Sequence, residues 1–386
     1  MIEDWQNAGF AIYIHWPFCE AKCPYCDFNS HVSQFIDQSR WRRAYLSEID
    51  RLGREFPGRT LSTVFFGGGT PSLMDPDTVG HILERIRATW PISNNFEVTL
   101  EANPSSSEVG RFRALRDAGV NRLSLGVQAL HDDDLRRLGR LHDVEAALRA
   151  ISISQQTFPR SSFDLIYGRQ GQTLSAWKSE LDRALDMAAG HLSLYELTIE
   201  PGTMFAKRKA AGKLNGLPDE DLAIALFEET GARTAKAGIE NYEVSNYAAD
   251  GNACEHNLIY WRYGDFAGIG PGAHGRLTVN GLKRATTEPK APIPWLKSVE
   301  NGAGEALIED LGPEDQADEY LMMSLRLTEG MDLDRYHAIA GKSVSQSEIA
   351  RLEELGLLQS GENGLRITTK GRPLTDAIVS SLIAAG

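Results

Sequence analysis

Two rhythms of apolar and polar positions alternate over the first two-thirds of this chain. Short apolar runs at residues 11–16, 63–66, 96–101, 122–128, 163–167 and 191–198 predict strands. Amphipathic stretches at 40–55, 77–89, 107–118, 132–150, 174–188 and 219–237 predict helices between and after them. This βα repeat predicts a parallel sheet with helical crossovers, because parallel neighbours need a long return connection. Six units fall short of a closed eight-stranded barrel. The expected fold is therefore α/β, an open, partial (βα)6 TIM-like barrel.

Alternate side chains of a strand point to opposite faces, so each run can be split. Phe96, Val98 and Leu100 share one face, with Glu97, Thr99 and Glu101 on the other. Leu123, Leu125 and Val127 oppose Ser124, Gly126 and Gln128, and Ile12, Ile14 and Trp16 oppose Tyr13 and His15. The apolar faces suit packing under helices. The polar faces suit a lumen that holds a ligand; a one-sided wet sheet, as in many antiparallel proteins, is the plainer alternative.

The pattern changes in the last third. A proline-rich stretch, PKAPIP at 289–294, predicts an ordered linker. The expected organisation is a barrel domain with accessory strands over 1–290, a linker region at 291–305 and a small C-terminal domain over 306–386. In the last, 313–327 and 345–355 read as amphipathic helices and 365–368 as a short hairpin arm, a winged-helix-like α+β arrangement.

Composition narrows the partners. Of 386 residues, 42% are hydrophobic and 24% charged, ordinary values for a globular protein. A formal net charge of −13 argues against nucleic acid, since phosphate binding needs a concentrated basic surface. That charge argues against DNA binding by the C-terminal domain as well. No run approaches the roughly 20 apolar residues of a membrane span, and the opening MIEDWQNAGF lacks a basic and then apolar leader. With clustered thiols, this predicts a cytoplasmic protein in a reducing compartment.

The chemistry concentrates in HWPFCEAKCPYCDFNSH, where Cys19, Cys23 and Cys26 form C-x-x-x-C-x-x-C and use three of the four cysteines. Three thiolates this close can converge on one metal centre. A structural zinc or an electron-transfer iron–sulfur cluster normally takes four protein ligands. His15 or His31 could complete a zinc site, although zinc ligands are more often spaced as two separated pairs. A triplet alone leaves a position open for a substrate or cofactor. Cys254 reads as a lone buried thiol.

The spacing, with Tyr25 just before the last cysteine, resembles the signature of the radical S-adenosylmethionine (SAM) superfamily. That resemblance implies a 4Fe-4S cluster on Cys19, Cys23 and Cys26, its fourth iron chelated by the amino and carboxylate groups of SAM. Function in a barrel gathers at the carboxyl ends of strands. The second run ends in Gly67-Gly68-Gly69-Thr70-Pro71-Ser72, where backbone can approach a ligand closely. The third ends in Glu101-Ala102-Asn103-Pro104, the fourth in Gln128, and Asp164 opens the fifth. Carboxylates suit ribose hydroxyls or an ammonium, and Arg140 offers a bidentate partner for a carboxylate.

In order and approximate spacing these residues are similar to the SAM-binding set of proteins related to oxygen-independent coproporphyrinogen III oxidase, the HemN-like family. The resemblance covers nearly the whole chain and implies SAM contacts at Tyr13, Tyr25, Gly68, Gly69, Thr70, Glu101, Gln128, Arg140 and Asp164. One departure is Arg169-Gln170, where related proteins tend to have an apolar residue and proline.

Two branches of that family differ beside the cluster. The porphyrinogen oxidases share YIHWPFC and GGGTPS but carry a Gly-Cys pair after the third cysteine and a long segment before the motif. Here Asp27-Phe28-Asn29 follows Cys26 and eighteen residues precede Cys19, which resembles the heme-chaperone branch, the HemW-like proteins. The same resemblance implies that the C-terminal domain is a lid or docking surface. The segment His256-Asn257-Leu258-Ile259-Tyr260-Trp261 is similar to that branch's heme-binding motif and implies heme contacts at His256, Asn257, Tyr260 and Trp261. An imidazole can ligate heme iron while Tyr and Trp offer flat apolar area. A satisfied histidine beside core aromatics is the plainer reading. GIGPGAHGR, with His274, is a glycine-rich turn similar across the wider family.

The resemblance implies one of two function classes. One is a binding and transfer protein that holds the cluster, SAM and heme and passes heme to hemoproteins such as membrane respiratory enzymes, with room for a homodimer. The other is an enzyme that cleaves SAM reductively and abstracts hydrogen from a tetrapyrrole, as coproporphyrinogen III oxidase does, or acts on another tetrapyrrole. The cluster motif serves both; the residues after Cys26 favour the first, without coproporphyrinogen oxidase activity.

Overall fold

The computed structural model describes residues 3–33, 35–362 and 364–386. Six strands form in chain order: β1 (Phe10–Trp16), β2 (Leu61–Gly68), β3 (Ile92–Ala102), β4 (Arg122–Gln128), β5 (Arg160–Tyr167) and β6 (His191–Glu196). Each pairs in parallel with the next, so Val64 of β2 lies between Ile12 of β1 and Val98 of β3. Helices Gln38–Glu55, Pro76–Thr89, Val144–Thr157 and Leu174–Met187 return the chain between strands. The expected α/β partial barrel is the fold.

The apolar strand faces do what alternation predicts. Ile12, Ile14, Val98, Leu100, Leu123 and Leu125 are fully buried in the main core. Two expected helices are each broken in two. Residues 107–118 form Ser106–Val109 and Phe112–Asp117, and 132–150 form Asp132–Arg137 and Val144–Thr157. In the second pair Gly139, at φ +71°, turns the chain against the cysteine loop: a Cβ there would lie 2.7 Å from Pro24 Cδ. Only glycine permits both the turn and the approach.

The sheet continues beyond the six units. Asp265–Ile269 pairs in parallel with the outer side of β1, and His274–Val279, Leu282–Thr287 and Leu307–Asp310 extend it antiparallel. Asn246–Ala248 and Glu240–Asn241 add to the β6 side, giving an open twelve-stranded sheet.

Residues 291–305 are not a linker. Pro292–Glu300 is a helix whose Trp295, Leu296 and Val299 are buried, and the Trp295 ring stacks on Trp41 at 5.4 Å and 9°. Proline in a first helical turn loses no intrahelical hydrogen bond, so a proline run can start a helix as well as stiffen a linker. The large sheet also reaches past residue 306 through Leu307–Asp310.

Beyond it, helices Pro313–Ser324, Leu333–Ala340, Gln346–Glu354 and Thr375–Ala385 surround a three-stranded antiparallel sheet of Met331–Asp332, Gly364–Ile367 and Leu358–Ser360. Their apolar core, including Tyr320, Leu352 and Leu382, is separate from that of the barrel. Among the described residues no helix is long and apolar enough to cross a membrane.

Candidate cluster and cofactor site

β1 delivers the chain into the cysteine loop at the carboxyl end of the sheet. There a cavity of about 380 Å³ is lined by Cys19, Cys23 and Cys26 on one side and by the ends of β2 to β6 on the other. Among the described residues the three thiols are not gathered within 4.8 Å of one another. A single tetrahedral zinc, with Zn–S about 2.3 Å, would hold its sulfurs roughly 3.8 Å apart. Three cysteines leave a cluster one iron position open to a ligand from outside. The two histidines that could complete a zinc site are engaged elsewhere, both with Asn29. Burial pushes the Cys19 and Cys26 thiols up, so a metal must supply the charge that makes them thiolates.

Glu101 and Asp164 face each other across this cavity. Among the described residues Glu101 accepts one hydrogen bond, from the Gly68 N–H at 3.2 Å. Burial, then the charge of Asp164, pushes its carboxyl up to about 8. Burial pushes Asp164 up to about 6, opposed by hydrogen bonds from Ser193 and Ser124 and by the charge of Arg140. Among the described residues neither carboxyl is ion-paired, and two such buried groups suit a cationic ligand. SAM, with an ammonium and a sulfonium, has that character.

The glycine run gives the ligand its approach. A Cβ on Gly69 would lie 2.7 Å from the Phe18 carbonyl oxygen, and one on Gly68, at φ +111°, 2.5 Å from the His15 ring. At the end of β4 the register shifts between Leu125 and Gln128, and Gln128 takes φ +75°, rare for a residue with a side chain. Its side chain lines the cavity, and among the described residues its Oε1 is buried without a hydrogen-bond partner. A buried acceptor left open costs about 1–3 kcal/mol, which a donor on a bound ligand would offset. The cradle, the carboxyl pair and this orphaned amide fit SAM beside a cluster.

Arg140 is held by Asn103 Oδ1 and by the Gly126 carbonyl at 2.8 Å, and points Nη1 at Cys23 Sγ, 3.4 Å away. Among the described residues it is not paired with a carboxylate, and its Nε is a second buried group without a hydrogen-bond partner. Tyr25, Gly68, Gly69 and Thr70 also line the cavity.

Tyr13 does not reach the cavity. Its hydroxyl meets His15 Nδ1 at 3.0 Å, while His15 Nε2 meets the Asn29 carbonyl oxygen at 2.9 Å. A carbonyl only accepts, so Nε2 carries the proton and Nδ1 accepts from Tyr13. Burial holds His15 down at about 4, hence neutral. Asn29 itself donates to the Pro271 and Lys290 carbonyls, each at 2.8 Å. The sequence signal for this clasp is the Asn after Cys26, whose partners lie more than two hundred residues away. Asn103, Ser124 and Tyr195 also line the cavity without having been singled out as ligands. Asn103 follows Glu101 in the same strand-end segment, and Ser124 was placed on the lumen face.

The proposed heme residues lie at the opposite end of the lumen. Helix Glu255–Trp261 closes the floor, and His256 Nδ1 pairs with Thr63 Oγ1 at 2.9 Å. The imidazole sits 5.0 Å from the Phe65 ring and 6.4 Å from Tyr13, and burial pushes it down to about 3. Tyr260 is 39% exposed, Asn257 is half-buried, and Trp261 packs on the C-terminal core. The four lie on one helix. Cys254, the expected lone thiol, is buried beside Glu97 and is pushed up to about 12 by burial.

Residues 13–184 match the family model described as the radical SAM superfamily, and residues 311–374 that of the HemN C-terminal domain. The mitochondrial radical S-adenosyl methionine domain-containing protein 1 of Bos taurus is 37% identical over 97% of this chain and 87% of that protein. Heme chaperone HemW of Escherichia coli (strain K12) is 35% identical over 97% of this chain and 98% of that protein. The solved structure of coproporphyrinogen III oxidase (HemN) from Escherichia coli covers 97% of this chain and 90% of its own, with TM-score 0.81 at 22% identity. That last likeness is one of fold.

Proposed function

Because this chain belongs to the radical SAM superfamily, in the family of the HemW heme chaperones and the mitochondrial radical SAM domain-containing protein 1, we propose that it is a heme chaperone. It holds a 4Fe-4S cluster on Cys19, Cys23 and Cys26, binds SAM and heme, and delivers heme to hemoproteins such as respiratory enzymes. The cytoplasm is its proposed compartment, and the C-terminal unit its lid or docking surface. The observation that carries this reading is full-length likeness, with both domains present, to proteins named heme chaperones.

The cavity supports the cofactor half of the proposal. When bound, the cluster supplies an iron with an open coordination position and one-electron chemistry. The chain's own groups do the rest. Glu101 and Asp164 hold the cationic groups of SAM, and Gln128 Oε1 accepts from a donor on it. Gly68, Gly69 and Thr70 shape its approach, while Tyr25 and Arg140 pack beside Cys23. Tyr13 acts one layer below, through His15.

For heme, the proposed contacts are His256, Asn257, Tyr260 and Trp261. In the fold described, His256 lies between Phe65 and Tyr13 and is bonded to Thr63. Ligation of iron there requires the short helix Glu255–Trp261 to move.

The test is anaerobic reconstitution of the purified protein, assayed in parallel for heme binding and for coproporphyrinogen III decarboxylation. The expected result is heme binding without decarboxylation. Formation of protoporphyrinogen would overturn the chaperone reading in favour of the oxidase. Heme binding unchanged in His256→Ala would remove that residue from the heme site.

A further inference from the structure

The short helix Met204–Ala210 stands directly against the cysteine loop. The Phe205 N–H donates to the Pro24 carbonyl at 2.8 Å, and Pro24 lies between Cys23 and Cys26. The Phe205 side chain is buried, its ring 6.3 Å from that of Tyr25, in a small apolar cluster that also holds Leu138 and Leu214. One face of the helix is thereby fixed to the metal-binding loop.

The exposed part carries Lys207, Arg208 and Lys209, and Lys213 follows in the next turn. Among the described residues none of the four is ion-paired with a carboxylate. Some exposed cations on other helices are paired, as Arg233 is with Asp182 and Glu229, and Arg351 with Glu348. Arg208 also lies over the Phe205 ring, 5.8 Å from its centroid, and four cations within seven residues make a local basic patch on a chain of formal net charge −13. At a rise of about 1.5 Å per residue, Lys209 lies roughly 6 Å along the helix from Phe205. Met204, 50% exposed, adds apolar contact area beside them.

We propose that this basic face docks an acidic one-electron carrier protein, which reduces the cluster through the Cys23–Cys26 segment. The proposal rests on the cluster reading given above. An anionic flavin hydroquinone gives up one electron and becomes the neutral semiquinone, while the oxidised cluster gains that electron. No bond is made or broken and no proton moves. The charge distribution selects a compact acidic protein. An extended polyanion would meet repulsion along an acidic surface, whereas a small partner touches only this face and is steered to it.

The test uses the full-length reconstituted protein under anaerobic conditions, with bleaching of cluster absorbance followed after mixing with reduced flavodoxin or with dithionite. In the triple variant Lys207→Glu, Arg208→Glu, Lys209→Glu, the flavodoxin rate is expected to fall at least about tenfold and to lose its dependence on salt. The dithionite rate is expected to stay as in the parent. Lys213→Glu, outside the helix, is expected to slow flavodoxin about two- to threefold by the same steering. A flavodoxin rate unchanged in both variants overturns the proposal. So does an equal fall with dithionite in both, which would place the effect in the cluster itself. Binding to vesicles of anionic phospholipid with unaltered flavodoxin kinetics would assign the face to a membrane instead. Failure of the cluster reading would show separately, as a parent protein without cluster absorbance.

Discussion

Glu97 and Glu101 stand four residues apart on one face of β3, and the fold treats them in opposite ways. At the floor, Glu97 receives Arg122 at 3.3 Å, Arg160 at 3.2 Å and the Cys254 thiol at 3.4 Å. At the mouth, Glu101 receives one backbone N–H and faces the like charge of Asp164. A buried carboxylate between two guanidiniums is a structural tie. A buried carboxyl beside another, open to a cavity, is arranged for a cation that arrives from outside. The difference separates stability from binding within a single strand.

The comparison breaks first at the floor. Glu97→Gln leaves the buried Arg122 without its counter-charge and is expected to lower stability by about 3–5 kcal/mol, read by chemical denaturation. SAM affinity of the folded fraction is expected to hold. Glu101→Gln is expected to do the reverse. By calorimetry, SAM affinity should fall at least tenfold, about 1.4 kcal/mol or more, with stability unchanged or raised. A Glu101 variant that unfolds while keeping SAM affinity would erase the contrast.

A smaller and graded effect should appear with pH. A carboxyl whose value is raised on folding stabilises the folded state below its unfolded value, and that stability is lost as pH rises through the folded one. The empty protein should therefore lose stability from Glu101 and Asp164 between about 4 and about 8. SAM binding needs the ionised carboxylates, so affinity should rise over pH 6 to 9. The two slopes have opposite signs at the mouth, and Glu101→Gln should flatten both. Asn29→Ala removes two hydrogen bonds to the Pro271 and Lys290 carbonyls. It is expected to cost about 1–3 kcal/mol and to speed hydrogen exchange in residues 19–29.

Much of this contrast is legible in the sequence. The alternation in 96–101 already puts Glu97 and Glu101 on one polar face, and the βα rhythm puts Glu101 at a strand end. The same parity brings Gln128 and Asp164 to that end, beside the cysteine loop. What separates the two glutamates is not local. Arg160 and Cys254 come from distant segments, and no spacing rule pairs them with Glu97.

Depth in the lumen was equally hidden. Tyr13 shares a face with the cavity residues, yet His15 and the bulk of Phe65 keep it a layer below. His256 was readable as part of a motif but not as a floor residue, because the helix that carries it is placed by tertiary packing. The proline run at 289–294 misled for a local reason, since proline begins helices as readily as it stiffens linkers.

Heme delivery is tested by following the transfer itself. The anaerobically reconstituted protein, loaded with heme, would be mixed with an apo-hemoprotein and the recipient's heme spectrum followed over time. The recipient is expected to gain heme faster than from free heme in the presence of a scavenger, with the chaperone losing an equal amount. Heme retained on this chain, or released only to the scavenger, would contradict it.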